Sequence, residues 1–138
     1  MKIINRSLNE LPKYQTKGSA GMDLMSNEKV VILPMDRYLV GTGLFIQIPF
    51  GHEGQVRARS GNAIKHGITL INAVGTIDED YTGEIKIPLV NLGSIPFEVN
   101  IGDRIAQLII SRYEKIEFEE VCEIEKTERI GGFGHTGK

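Results

Sequence analysis

The chain has 138 residues and a mass of 15.3 kDa, near the commonest size for one domain, which predicts a single hydrophobic core. A hydrophobic fraction of 41% and a charged fraction of 25% are ordinary globular usage and exclude disorder, fibrous repeats and membrane residence as readings. With a formal net charge of −2 and a pI of about 5.9, the surface cannot hold long nucleic acid by bulk electrostatics. The charge is uneven: Glu114 to Glu128 holds seven Glu and two Lys, a net of −5, which leaves +3 on the rest of the chain. A small anion can therefore bind elsewhere.

The N-terminus, MKIINRSLNELPKY, lacks the apolar stretch of a signal peptide, and no run of 18 apolar residues follows. The single cysteine, Cys122, excludes an intrachain disulfide and a thiolate zinc cluster. A cytoplasmic protein is expected. Glycine is over-used at 16 residues, against about 7% in typical chains, and implies tight turns between short elements. Period-2 alternation predicts strands at Val30 to Leu33, Leu44 to Ile48, Gln55 to Arg59, Ile68 to Asn72, Glu84 to Asn91, Phe97 to Val99, Ile105 to Ile110 and Ile116 to Val121. Only a turn or two of helix is allowed, within Gly61 to His66. The pattern predicts an all-β fold of the sandwich, barrel or jelly-roll kind.

Three stretches carry chemistry, each with a plain alternative. Gly75-Thr-Ile-Asp78-Glu79-Asp80-Tyr81-Thr-Gly83-Glu84 reads as an acidic hairpin turn, or as a rigid hairpin that holds a carboxylate general base within reach of a water. Arg57-Ala-Arg59-Ser60-Gly61 reads as a strand ending in a turn, or as a phosphate clamp of guanidinium, hydroxyl and free amide. Four of the last ten residues, Arg129 to Lys138, are glycine. Composition makes this segment a flexible tail, whereas Arg129, Phe133 and the glycines beside them supply the donors, stacking surface and close backbone approach of a lid. The run from Gly132 to Lys138 matches the spacing of a P-loop, but no Ser/Thr follows the lysine, and no helix. His52, His66 and His135 lie far apart beside turn glycines and read as solvated loop residues.

Taken together and in order, Ala20-Gly21-Met22-Asp23-Leu24, Arg59-Ser60-Gly61, Asn72 through Gly83, Gly102-Asp103-Arg104-Ile105-Ala106-Gln107-Leu108 and Arg129 to Gly137 resemble the five motifs of the trimeric deoxyuridine triphosphatases. The resemblance runs from about Ser19 to Gly137. The chain departs from the family pattern at Ala58, where proline is frequent, at a tail one residue short between Arg129 and Gly131, and at His135, where serine is usual.

The resemblance implies a jelly-roll-like β-barrel over residues 1–128, a C-terminal arm over 129–138 that closes an active site, a homotrimer with shared sites, and Mg²⁺-assisted hydrolysis of dUTP to dUMP and pyrophosphate. By the same resemblance Asp78 is the general base and Gln107 holds phosphate and the attacking water. Arg59, Ser60 and Gly61 hold phosphates, and Asp23 acts on Mg²⁺ through coordinated waters. Asn72 and the backbone of Gly75, Thr76, Ile77 and Asp78 pair with uracil, Tyr81 packs on deoxyribose, and Lys86 contributes nearby. From another chain, Arg129 reaches the phosphates, Phe133 stacks on the base with Gly134 beside it, and His135 meets the terminal phosphate. Two rivals share the fold: a dCTP deaminase, distinguished by ammonia release, and a regulatory trimer with incidental catalysis, against which the presence of Asp78 argues.

Overall fold

In the computed structural model, which describes residues 1–128, alternating aliphatic residues build ten strands. These are β1 (Lys2–Asn5), β2 (Met22–Met25), β3 (Val30–Ile32), β4 (Arg37–Gln47), β5 (His52–Ala58), β6 (Ile68–Leu70), β7 (Val74–Ile77), β8 (Glu84–Asn91), β9 (Phe97–Val99) and β10 (Arg104–Arg112), with one helix, α1 (Ser60–His66), between β5 and β6. Two four-stranded sheets have the orders β1-β4-β8-β6 and β2-β10-β5-β7, and β3 pairs with β9. Every pairing is antiparallel. From β4 to β8 the chain changes sheet at each step, the jelly-roll manner of avoiding long free edges. The expected all-β, jelly-roll-like architecture is what forms.

Val40, Leu44 and Ile46 of β4, Ile85, Ile87 and Leu89 of β8, and Leu24, Val56 and Leu108 of the second sheet belong to one buried cluster. Each such side chain contributes roughly 1.5–3 kcal/mol by leaving water. Helix α1 buries none of its residues and has no side-chain cap at its start, so contacts other than core burial hold it in place. It stops at Gly67, whose φ of 69° is left-handed and costs little only for glycine.

Several expectations need correction. The strand β4 begins at Arg37, well before Leu44, because a bulge between Gly41 and Phe45 lets the ladder continue through two glycines. The amides loosened there are taken by carboxylates, Gly41 N–H by Glu28 Oε1 at 2.5 Å and Gly43 N–H by Glu84 Oε1 at 2.9 Å. Ile116 to Val121 is not a strand, and Ile116 and Phe118 are 71% and 92% exposed. Alternation prepares a face for burial, but a strand forms only where another strand accepts its hydrogen bonds. Strands β7 and β8 lie in different sheets, so the acidic stretch between them is a crossover and not a hairpin. His52 starts β5 and His66 ends α1 with its ring 5.3 Å from that of Phe97, which places both in elements and not in loops. Among the described residues no helix is long and apolar enough to cross a membrane.

Candidate active site

Strands β2, β10 and β5 are neighbours, and their register sets Gln107 opposite both Asp23 and Arg57. Directly opposed residues share a sheet face, while the alternate residues Leu24, Val56 and Leu108 are buried in the core. Just past β5, Arg59 Nε lies 2.9 Å from Asp23 Oδ1, and Arg104 Nη1 lies 3.3 Å from Asp23 Oδ2. The Asp23 side chain is only 15% exposed, so two guanidinium groups neutralise a nearly enclosed carboxylate. Arg59 Nη1 and Asn62 Nδ2 both donate to the Arg104 carbonyl, at 3.1 and 3.2 Å, and this ties the entrance of α1 to β10. Gln107 Nε2 donates to the Ala58 carbonyl at 3.0 Å. That bond fixes the amide with Oε1 as the end left to accept. Asp23, Arg59, Ser60, Gly61 and Gln107 line a cleft of about 250 Å³. A Cβ on Gly61 would meet nothing within 4 Å, which leaves its backbone approachable.

A second cleft, of about 320 Å³, is lined by Asn72, Gly75, Thr76, Ile77, Asp78, Tyr81 and Lys86 over a floor that includes Leu39, Val56 and Pro88. Asn72 and Asp78 flank β7, the short edge strand between two crossovers. The first crossover turns sharply at Ala73, whose φ is 62°, and Val74 N–H donates to the Asn72 carbonyl at 2.7 Å. A two-residue hydrogen bond around a left-handed alanine is a strained γ-type turn, and it presents the exposed Asn72 at the cleft. The Asn72 amide lies over Gly75, where a Cβ would sit 3.4 Å from Nδ2. Tyr81 donates its hydroxyl to the Glu84 carbonyl at 3.0 Å, and Lys86 Nζ lies 3.6 Å from Glu84 Oε2.

Of the three consecutive acids on the second crossover, only Asp78 lines this cleft. Glu79 turns the other way, accepting from Gly51 N–H at 2.7 Å and from Lys115 Nζ at 3.0 Å. The Gly51 amide, with Lys115 and Tyr113, holds the Glu79 carboxyl below the usual carboxylate range, and Tyr113 and Glu79 push the Lys115 ammonium up. Asp78 is exposed, and among the described residues no cation pairs with it.

The two clefts share no lining residue. Within one chain Asp78 is thus gathered with Asn72, Tyr81 and Lys86, and Gln107 with Asp23, Arg59, Ser60 and Gly61, without the two sets meeting. Arg129, Phe133, Gly134 and His135 lie outside the described residues. Three participants received no role from the sequence: Arg104, Glu84 and Glu79. Arg104 and Glu84 stand inside motifs already singled out, but only the strand register reveals what they touch. Among the described residues no group of three or more His, Cys, Asp or Glu side chains could hold a metal ion by itself.

The sequence profile of dUTPase matches residues 8–137. The chain belongs to the dUTPase family. A deoxyuridine 5′-triphosphate nucleotidohydrolase of Finegoldia magna is 56% identical over 140 residues, covering 99% of this chain and 98% of the relative. Among solved structures of the dUTPase family, that of Staphylococcus bacteriophage 80alpha with dUpNHpp superposes with a TM-score of 0.92 at 26% identity, covering 99% of this chain and 98% of that one. A mutant dUTPase from phage phi11 of Staphylococcus aureus, described with a structural Mg(II) ion, gives a TM-score of 0.82 at 26% identity, covering 91% of this chain and 98% of that one.

Proposed function

We propose that the protein hydrolyses dUTP to dUMP and pyrophosphate, limiting uracil in DNA and supplying dUMP. The observation that carries this reading is the division of one dUTPase chain into a cleft with amide and carboxylate groups for a pyrimidine nucleoside and a cleft with guanidinium, hydroxyl and amide groups for phosphates. The 80alpha phage relative with dUpNHpp bound supports the substrate class.

In this reading Asn72 and the Gly75 to Asp78 backbone meet the uracil edge, where cytosine would leave donors and acceptors unpaired, and missing pairs discriminate strongly. Tyr81 packs on the deoxyribose and Lys86 stands beside it. Asp78 orients and deprotonates the water that attacks the α-phosphorus; an ionised carboxylate accepts two hydrogen bonds at once. The new P–O bond forms as the bond to the bridging oxygen breaks, and pyrophosphate leaves. Arg59, Ser60 and the Gly61 amide hold the phosphates, while Gln107 Oε1 accepts from the water. Positioning and charge neutralisation supply most of the rate.

Because the two clefts do not meet in one chain, a complete site requires a second copy, and a homotrimer with shared sites satisfies this need. Residues 1–128 act as the catalytic domain, and the 129–138 arm of another copy brings Arg129, Phe133, Gly134 and His135. With a lone cysteine, Cys122, exposed and unpaired in this structure, a reducing cytoplasm suits the protein. For Mg²⁺, Asp23 is the only carboxylate among the described residues that line the phosphate cleft. Each of its oxygens keeps a lone pair beyond those facing Arg59 and Arg104, which fits an ion held chiefly by phosphates and its own waters. Such an ion, when bound, neutralises developing charge on the phosphates. The phi11 relative is described with a structural Mg(II) ion, which supports Mg²⁺ as a metal of this family and not Asp23 as its holder.

The test is pyrophosphate release from dUTP, dCTP, dTTP and UTP with and without Mg²⁺. Turnover of dUTP alone, lost on chelation and restored by Mg²⁺, is the expected result. Release of ammonia from dCTP would overturn the reading.

A further inference from the structure

We infer that Gly83 is a sugar-selectivity residue that acts by positioning Tyr81, an inference that rests on the reading of Tyr81 as the deoxyribose contact. The Tyr81 phenol reaches forward over residue 83 to the Glu84 carbonyl, 3.0 Å away, so side chain and backbone close a small ring with Gly83 beneath it. A Cβ built on Gly83 would stand 2.6 Å from Tyr81 Cζ and 3.0 Å from Cε2, and would crowd the hydroxyl as well. Carbon atoms in good contact lie about 3.5–4.0 Å apart. The phenol would therefore have to retreat by roughly 1 Å and give up its bond to Glu84.

The requirement for glycine is steric rather than conformational. Among the described residues the glycines with left-handed φ are Gly43, Gly51, Gly67 and Gly102, and Gly83 is not among them; alanine can adopt its backbone without strain. The three atoms nearest that Cβ all belong to Tyr81, which is 44% exposed, so the added carbon presses on a surface ring. What the missing Cβ secures is one orientation of one ring at the edge of the nucleoside cleft, which Tyr81 lines. A ring held there leaves no space for a 2′-hydroxyl, and a ring that can swing does. Exclusion of a wrong substrate by a fixed clash is a common route to specificity.

The test compares kcat/KM for dUTP with that for UTP in wild type, Gly83→Ala, Tyr81→Ala and the double variant. Gly83→Ala should lower the dUTP preference at least tenfold, Tyr81→Ala should lower it at least as far, and adding Gly83→Ala to Tyr81→Ala should change it no further. An unchanged preference in Gly83→Ala, alongside a fall in Tyr81→Ala, overturns the role of Gly83 and leaves the sugar contact standing. An unchanged preference in Tyr81→Ala removes the sugar contact and the inference with it. Should Gly83→Ala fail to fold, recovery of folding in the double variant supports the clash. Failure of both means that the backbone needs glycine for another reason, and overturns the proposal.

Discussion

Gly21 and Gln107 lie so close that a Cβ on Gly21 would stand 2.6 Å from Gln107 Oε1. Gly21 immediately precedes β2, and Gln107 sits on β10 with its Nε2 bound to Ala58. As at Gly83, no left-handed φ demands the glycine. Gly21→Ala should turn the Gln107 amide away from the Ala58 carbonyl and misplace Oε1. A displacement of about 1 Å can cost on the order of 10² in rate, so kcat for dUTP should fall by about tenfold to a hundredfold. Thermal melting should shift little, because an unstrained Gly→Ala change also restricts the unfolded chain. Wild-type kcat in Gly21→Ala would show that Gln107 does not position the water.

Asp78→Asn keeps the size of the side chain while removing its basicity. Asp78 is exposed, and among the described residues no cation pairs with it, so the fold should not notice the change. Turnover should drop by roughly 10² or more, with KM for dUTP within a few-fold and an unchanged melting temperature. Single-turnover kinetics separate the two effects. Near wild-type hydrolysis would assign the base elsewhere.

The neighbouring acid has a different task, and its pH dependence follows from its bonds. The Gly51 amide, Lys115 and Tyr113 lower the Glu79 pKa from its ordinary 4.5, so the folded state favours the ionised form. The stabilisation is complete above the ordinary value and is lost as pH falls through the lowered one. Glu79→Gln should melt below wild type at pH 7, and the gap should close as pH falls below about 4.5. Because Glu79 anchors the crossover that carries Asp78, kcat at pH 7 should also fall. A gap of constant size from pH 7 to pH 3 would mean that the charge of Glu79 does not matter.

How far the sequence alone reveals these features depends on the range of the interactions that make them. Strands β8 and β9 are read from the sequence at their observed ends, since Ile85, Ile87 and Leu89 alternate without interruption and Phe97 and Val99 are bounded by turns. Strands β1, β2 and β7 span four residues each and are made strands by pairing with β4, β10 and β5, which lie far along the chain. The first half of β4 is hidden by Gly41 and Gly43, whose amides are satisfied by Glu28 and Glu84 from outside the strand. In the site, each motif is contiguous and so is legible residue by residue. The partnership of Asp23 with Arg59 and Arg104 spans as many as 81 positions, and the division into two clefts depends on which sheet each strand joins. Neither leaves a local signal.

The arm poses the sharpest choice between a passive end and a working part. Among the described residues the buried core side chains fall between Met22 and Leu108, and on removal of residues 129–138 the melting temperature and the oligomer should survive nearly unchanged. If the arm closes on bound nucleotide, its loss removes the stacking ring of Phe133 and the guanidinium of Arg129 and admits water. The kcat for dUTP should then fall by orders of magnitude. His135 refines the test, because an imidazole with an ordinary pKa of about 6.5 becomes a cationic donor as pH falls. KM for dUTP should therefore be lower at pH 6 than at pH 8 in wild type, and this difference should shrink in His135→Ser. Normal turnover by the truncated chain would make the arm a passive end, and identical KM profiles would dismiss His135 as a phosphate contact while leaving Arg129 and Phe133 in place.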